Sequence, residues 1–373
     1  MKVAEDIIAR IKSALPERES YPLHEPFFDG REVEYVTDCV KSGWVSSVGK
    51  YVDKFEVDLA AYTGIKRAVA VVNGTAALHI CYLLAGVKPG DEVLCPTITF
   101  VATANAIKYC GATPHFVDCE SESLGVDAEK LREYLRKKKS KKIKALVVTH
   151  IFGHPARLQE LKKICDQFGI VLIEDIAEAL GSFYHNQHVG NYGHLAALSF
   201  NGNKIATTGG GGAVLVNDEK LGKKAKHITT TAKQPHAYEY FHDELGYNYR
   251  MPNINAALGC AQLEKMDEFL SAKRKLFAKY AAAFKDCDEA ELLVEPPNCQ
   301  SNYWLQAIIL KNKKYRDEVL EKTNTAKIFT RPIWQPMHHL PYLQDCPKMD
   351  LSCAEDMFAR VINIPSSSNL NGL

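Results

Sequence analysis

From about residue 66 onward, short apolar runs alternate along the chain with segments of helical character. Residues 68–72 read as a buried strand, followed by a helix over 75–85. The pattern recurs with strands at 92–95, 115–117 and 145–149, and helices over 102–110, 128–136 and 158–167. Strands at 171–173, 197–200 and 213–216 complete the series. Strands alternating with helices predict an α/β fold, a mainly parallel sheet covered on both faces. After Gly246 the character changes. Residues 252–283 form a long Ala-rich helical stretch with Leu258, Leu263, Phe269 and Leu276 among its apolar positions. A strand at 304–310 and helices at 315–323 and 355–361 then suggest a smaller α+β domain. The expected division is a large domain with an N-terminal arm over 1–250, and a linking helix with a small C-terminal domain over 251–373.

Composition narrows the function classes. A chain of 373 residues can bury a large core. Its 46 Lys and Arg against 45 Asp and Glu leave a formal charge of +1, so no basic excess points to a nucleic-acid partner. The one basic run, 136–144, reads as a solvated helix end and loop before the strand at 145–149. The eleven cysteines contain no C-x-x-C pair. The first fifteen residues read as an amphipathic helix interrupted by charge, not as a signal peptide, and no apolar run approaches the roughly 18 residues of a membrane span. The expectation is a reduced, cytoplasmic chain without membrane, disulfide or metal.

In open α/β sheets ligands bind beyond the carboxyl ends of the strands, so the residues after each strand are the ones to read. Asn73-Gly74-Thr75-Ala76 follows the first strand and opens a helix. Such a turn offers free N–H groups at the positive end of the helix dipole, suited to a phosphate, and serves equally as an ordinary N-cap. Glu174 and Asp175 are adjacent carboxylates leaving a buried strand. They are expensive to bury unless a protonated pyridine, a metal or an arginine faces them. Strand alternation lets only one point at the site, and Asp175 is favoured. A third segment runs from Ser199 through Lys204 to the glycine run Gly209–Gly212. It lacks Gly-Lys-Ser/Thr, which argues against a nucleoside-triphosphate loop; its glycines suit tight turns and close backbone approach. His150 and His154, in a turn after a strand, are not read as a metal pair. A lysine, an acid and a phosphate-ready turn on one sheet are what pyridoxal 5'-phosphate (PLP) requires: an amine for a Schiff base, a partner for its ring nitrogen, and donors for its phosphate. Freed by substrate, the Lys204 amine is then placed to move a proton.

The motifs Ser42-Gly-Trp-Val-Ser-Ser-Val-Gly49, Asn73-Gly-Thr-Ala-Ala-Leu-His79, Thr97-Ile-Thr-Phe-Val-Ala-Thr103, Glu174-Asp175, Ser199-x4-Lys204 and Gly246-Tyr-Asn-Tyr-Arg-Met251 resemble those of the DegT/DnrJ/EryC1/StrS family of PLP-dependent nucleotide-sugar aminotransferases, over about residues 26–365. The resemblance implies a type I (aspartate-aminotransferase-like) fold. It makes Lys204 the Schiff-base lysine and Asp175 the pyridine partner. Phe100 would stack on the ring, and Gly74, Thr75, Ala76, Ser199 and Asn201 would hold the cofactor with its phosphate. Glu178 would lie near the cofactor hydroxyl. Asn248 would reach the phosphate from a neighbouring subunit, implying a homodimer with shared sites. Where the family often has Gly-Glu-Gly-Gly, this chain has four glycines. Details at 242–252 and 331–338 resemble the LegC branch, which aminates C4 of UDP-linked 4-keto-6-deoxy-N-acetylhexosamines with an amino-acid donor, expected to be L-glutamate. A GDP-4-keto-6-deoxymannose substrate or amination at C3 are the alternatives, and a non-catalytic regulator or binding module of the same fold is the rival class. Trp44, Ser46, Arg331 and His338 are the candidate substrate contacts.

Overall fold

The computed structural model describes residues 2–138 and 140–371; Lys139, within the basic run, lies outside them. Seven strands form the main sheet: β1 (Arg67–Val71), β2 (Glu92–Pro96), β3 (Thr113–Val117), β4 (Ile143–Thr149), β5 (Val171–Asp175), β6 (Leu195–Ser199) and β7 (Gly212–Val216). Their spatial order is β1-β7-β6-β5-β4-β2-β3. Neighbours from β3 across to β6 are parallel, and β7 alone runs antiparallel between β6 and β1. The predicted fold class stands, with each predicted strand recovered to within a few residues. Because six strands share a direction, Asn73, Thr97, Thr149, Asp175 and Ser199 come together at one edge.

The long helix expected over 252–283 is two helices, Asn253–Glu264 and Met266–Phe284, joined at Lys265 with φ −102° and ψ 3°. The first helix lies against the helices Glu32–Ser42 and Lys50–Thr63 of the large unit, and the second starts in the same core with Met266 and Phe269 before Leu276, Tyr280 and Phe284 enter the core of the small one. The small unit is built on a four-stranded antiparallel sheet of Ala290–Leu292, Gln306–Leu310, Val361–Ile364 and Arg331–Pro332. Its core also takes in the N-terminal helix Lys2–Ala14. Ile7 and Ile11, four residues apart and so on one helix face, are buried with Leu276, Tyr280 and Ile308. The N-terminal arm therefore packs with the C-terminal residues, not with the sheet it precedes. All eleven cysteines are free thiols. No helix among the described residues is long and apolar enough to cross a membrane.

Candidate active site

Strand β5 ends in two buried carboxylates that point to opposite sides. Glu174 is fully occupied: it accepts N–H bonds from Gly190 (2.7 Å), Tyr192 (2.9 Å) and Gly193 (2.6 Å), and its Oε2 lies 3.3 Å from His150 Nε2. Asp175 faces a cavity of about 430 Å³. One of its oxygens accepts from Thr103 Oγ1 at 2.7 Å, the other from the Ala177 N–H at 3.2 Å. Thr103 is itself linked to Thr99 (2.9 Å) and Thr99 to Thr149 (3.1 Å), a buried chain of hydroxyls ending on the carboxylate. Burial pushes Asp175 above the usual carboxylate range, and the Thr103 and Ala177 donors only partly oppose it.

Lys204 enters the same cavity from the loop after β6. Its Nζ lies 3.8 Å from Glu178 Oε1 and 3.8 Å from the centre of the Trp304 ring. Burial pulls its ammonium below the usual lysine range, against the pull of Glu178 and Asp175. Glu178 accepts an N–H bond from Phe152 at 2.9 Å, and burial pushes it up to about 7. At the third corner Asn73 caps the helix Gly74–Leu84, its side chain accepting from Ala76 N at 2.8 Å. The amides of Gly74 and Thr75, first in the helix, have no intrahelical acceptor. The turn is held tightly from behind: a Cβ at Gly74 would meet Ser199 Cβ at 2.7 Å, and one at Gly212 would meet the Asn73 carbonyl oxygen at 2.4 Å. The glycine run thus lets β7 approach the turn.

Of the residues singled out in the sequence, Gly74, Thr75, Phe100, Asp175, Glu178, Ser199, Asn201 and Lys204 line this one cavity. Ala76 does not line it, and its N–H is taken by the Asn73 cap. Asn248 is exposed on a segment bridged to Thr230, off the cavity of its own chain. Arg331 lines an adjoining groove of about 1150 Å³ that shares Phe100, Asn203, Trp304 and Trp334 with the first cavity. His338 turns elsewhere. Its Nδ1 lies 2.7 Å from Thr97 Oγ1 and its Nε2 2.8 Å from Glu355, which leaves neither nitrogen for a substrate. Trp44 is exposed beside a separate surface hollow with Lys50 and Asn253, and the Ser46 carbonyl accepts from Asn253 N. Within one chain, neither reaches the cleft. The sequence reading missed Trp304, Trp334 and the threonine relay. Thr99 and Thr103 stood in a quoted motif, but Trp304 read as the start of a strand that begins only at Gln306.

A buried carboxylate with acceptor capacity left over, a desolvated amine and two uncommitted helix amides form a donor set that fits PLP. The pattern of the DegT/DnrJ/EryC1/StrS aminotransferase family matches residues 27–372. The chain belongs to this family. It is 38% identical over 351 residues, 94% of each chain, to a GDP-perosamine synthase of Escherichia coli O157:H7. It is 37% identical to EpsN of Bacillus subtilis (strain 168), described as a putative pyridoxal phosphate-dependent aminotransferase, over 93% of this chain and 91% of EpsN. The aminotransferase TlmJ from Streptoalloteichus hindustanus superposes with a TM-score of 0.88 at 26% identity, covering 95% of each chain. As a member of the DegT/DnrJ/EryC1/StrS family, the protein is a PLP-dependent sugar aminotransferase.

Proposed function

We propose that the protein moves an amino group from L-glutamate to C4 of GDP-4-keto-6-deoxymannose, making a perosamine-type sugar nucleotide for surface glycans. The observation that carries this is the 38% identity, over 94% of both chains, to a GDP-perosamine synthase. It moves the reading from the UDP-linked branch to the GDP-linked one. The UDP-N-acetylhexosamine reading retains the support of the motifs at 242–252 and 331–338.

The residues divide the work as follows. Lys204 would hold the cofactor through its amine and, when that amine is free, would carry a proton to or from the reacting carbon. Its depressed pKa, caused by burial, keeps a larger share of the free amine neutral and able to accept that proton. Asp175 would pair with the ring nitrogen and favour its protonated form. The amides of Gly74 and Thr75, with Ser199 and Asn201, would hold the phosphate, and Glu178 and Phe100 line the same cavity where they would meet the ring. When bound, PLP supplies an electron sink for the charge left as a proton departs. Arg331, exposed in the adjoining groove, offers a bidentate donor to the diphosphate. Asn248, exposed and off its own cavity, serves the site of a partner subunit in a homodimer, where Trp44 and Ser46 are also available.

An absorbance spectrum of the purified protein tests this. The band of lysine-bound cofactor should bleach with L-glutamate and return with GDP-4-keto-6-deoxymannose. Return only with the UDP-linked N-acetyl sugar would transfer the assignment to that branch. A protein with no such band even in added PLP, and no response to Lys204→Ala, would not be an aminotransferase at all.

A further inference from the structure

The position of Trp304 carries an inference about the lysine itself, and it rests on Lys204 being the cofactor lysine. During each half-reaction that lysine is detached, leaving an amine at the end of a flexible stem inside a dry cavity. Such an amine needs a place that keeps it near the reacting carbon without committing it to a permanent ion pair.

Trp304 is only 3% exposed, and both the one polar atom of its ring and its backbone are hydrogen-bonded. Its Nε1–H donates to the Asn203 carbonyl at 2.7 Å, in the same loop as Lys204. Its backbone N–H donates to Asn302 Oδ1 at 2.8 Å, and its carbonyl accepts from the buried Lys273 Nζ at 2.9 Å. The imidazole of His24 packs on it at 6.4 Å between ring centres. An indole held this way cannot rotate away, and the face it presents to the cavity has Lys204 Nζ 3.8 Å from its centre. The Glu178 carboxylate is also 3.8 Å from this Nζ, beyond direct hydrogen-bond length. The amine is therefore shared between an aromatic face and a carboxylate that binds it loosely.

We propose that Trp304 is the seat of the freed Lys204 amine: its indole face stabilises the ammonium between proton transfers and holds it toward the cavity. A cation over an aromatic face is most strongly favoured when desolvated, and tryptophan is the best such face. The charged and titratable groups around Lys204 are Glu178 and Asp175, which favour its protonation, and His24 and Lys273 behind the indole. Among them the ring acts without adding a formal charge that would bind the amine permanently.

The test weakens the ring face without removing the ring. The protein is grown with tryptophan bearing none, one, two or four ring fluorines, which drain the indole face progressively at nearly constant size. The titration of Lys204 is then read on cofactor-free protein by competitive acylation and mass spectrometry across pH, and the glutamate half-reaction is followed on the PLP-loaded protein. The Lys204 midpoint should fall by about one pH unit across the series, a tenfold change in the ammonium-to-amine ratio. The half-reaction should slow by about tenfold while PLP still binds, because the ammonium formed as Lys204 takes the glutamate proton loses its support, which outweighs the larger share of neutral amine. The trend should vanish in Trp304→Phe, which separates it from Trp334 and Trp44. A flat midpoint, a trend that persists in Trp304→Phe, or a shifted midpoint with an unchanged half-reaction would each overturn the proposal. Because the acylation is read without cofactor, it remains informative if the glutamate assay exposes a wrong substrate assignment.

Discussion

Glu174 and Asp175 are neighbours on one strand, both buried carboxylates, yet they end in opposite electrostatic situations. Glu174 receives three backbone N–H groups from the 190–193 turn, which satisfies it within the chain. Asp175 receives one hydroxyl and one amide and faces a cavity. The contrast shows that a buried charge the protein neutralises by itself is architecture, whereas one left under-satisfied is kept for something that arrives later.

The largest expected effect sharpens that contrast on the ligand side. Asp175→Asn should lower turnover on the order of 10²- to 10³-fold, as for loss of a buried electrostatic contact to the reacting system, with little loss of thermal stability. Glu174→Gln should do the reverse, because an amide cannot accept three converging N–H bonds. Denaturant unfolding should show a loss of roughly 3 kcal/mol, with PLP affinity changed far less than in Asp175→Asn. If both variants lose stability alike and keep turnover, the division between the two carboxylates is wrong.

A smaller effect concerns pH. Burial raises Glu178 in the folded protein to about 7, above its unfolded value of roughly 4.3. A raised carboxyl contributes stability that is complete below the unfolded pKa and is lost as pH climbs through the folded one. Cofactor-free wild type should therefore lose thermal stability relative to Glu178→Gln between about pH 4.3 and 7. Parallel melting curves for the two proteins across that window would show that Glu178 is already compensated. The smallest pair lies in the glycine run. Gly212→Ala should cost at least about 2 kcal/mol, because its Cβ would collide with the Asn73 backbone. Gly210→Ala should stay within about 0.5 kcal/mol, since a Cβ there meets nothing within 4 Å.

Much of the sheet was legible in the chain, because buried parallel strands announce themselves as apolar runs and the polar residues that follow them mark the ligand edge. Lys204, Asp175 and Gly74 could be picked out for that reason. What could not be read depended on distance across the fold. The helix break at Lys265 has no glycine or proline at it to signal it, and the second helix passes from the large core at Met266 and Phe269 to the small one at Leu276 and Tyr280. His338 lies in a motif that suggested substrate, yet Thr97 and Glu355, remote in sequence, claim both of its nitrogens. Trp304 carries a strand-like residue type in an irregular segment, so its role as a wall of the cleft appears only once Asn203 and Lys273 are beside it.

The small unit has a further consequence for how the chain acquires its shape. Its core joins Ala4, Ile7 and Tyr21 to residues from Leu276 to Leu370, so residues 22–275 form one very long excursion between its parts. Closing a loop of that length carries an entropic cost that grows only slowly with length, but the search it demands is slow compared with the local strand–helix–strand contacts of the large sheet. The large sheet can consolidate while the small core still lacks most of its residues. On synthesis, the N-terminal helix would then wait with its isoleucines uncovered until the last strand arrives, and this interval is when a chaperone would have most to protect.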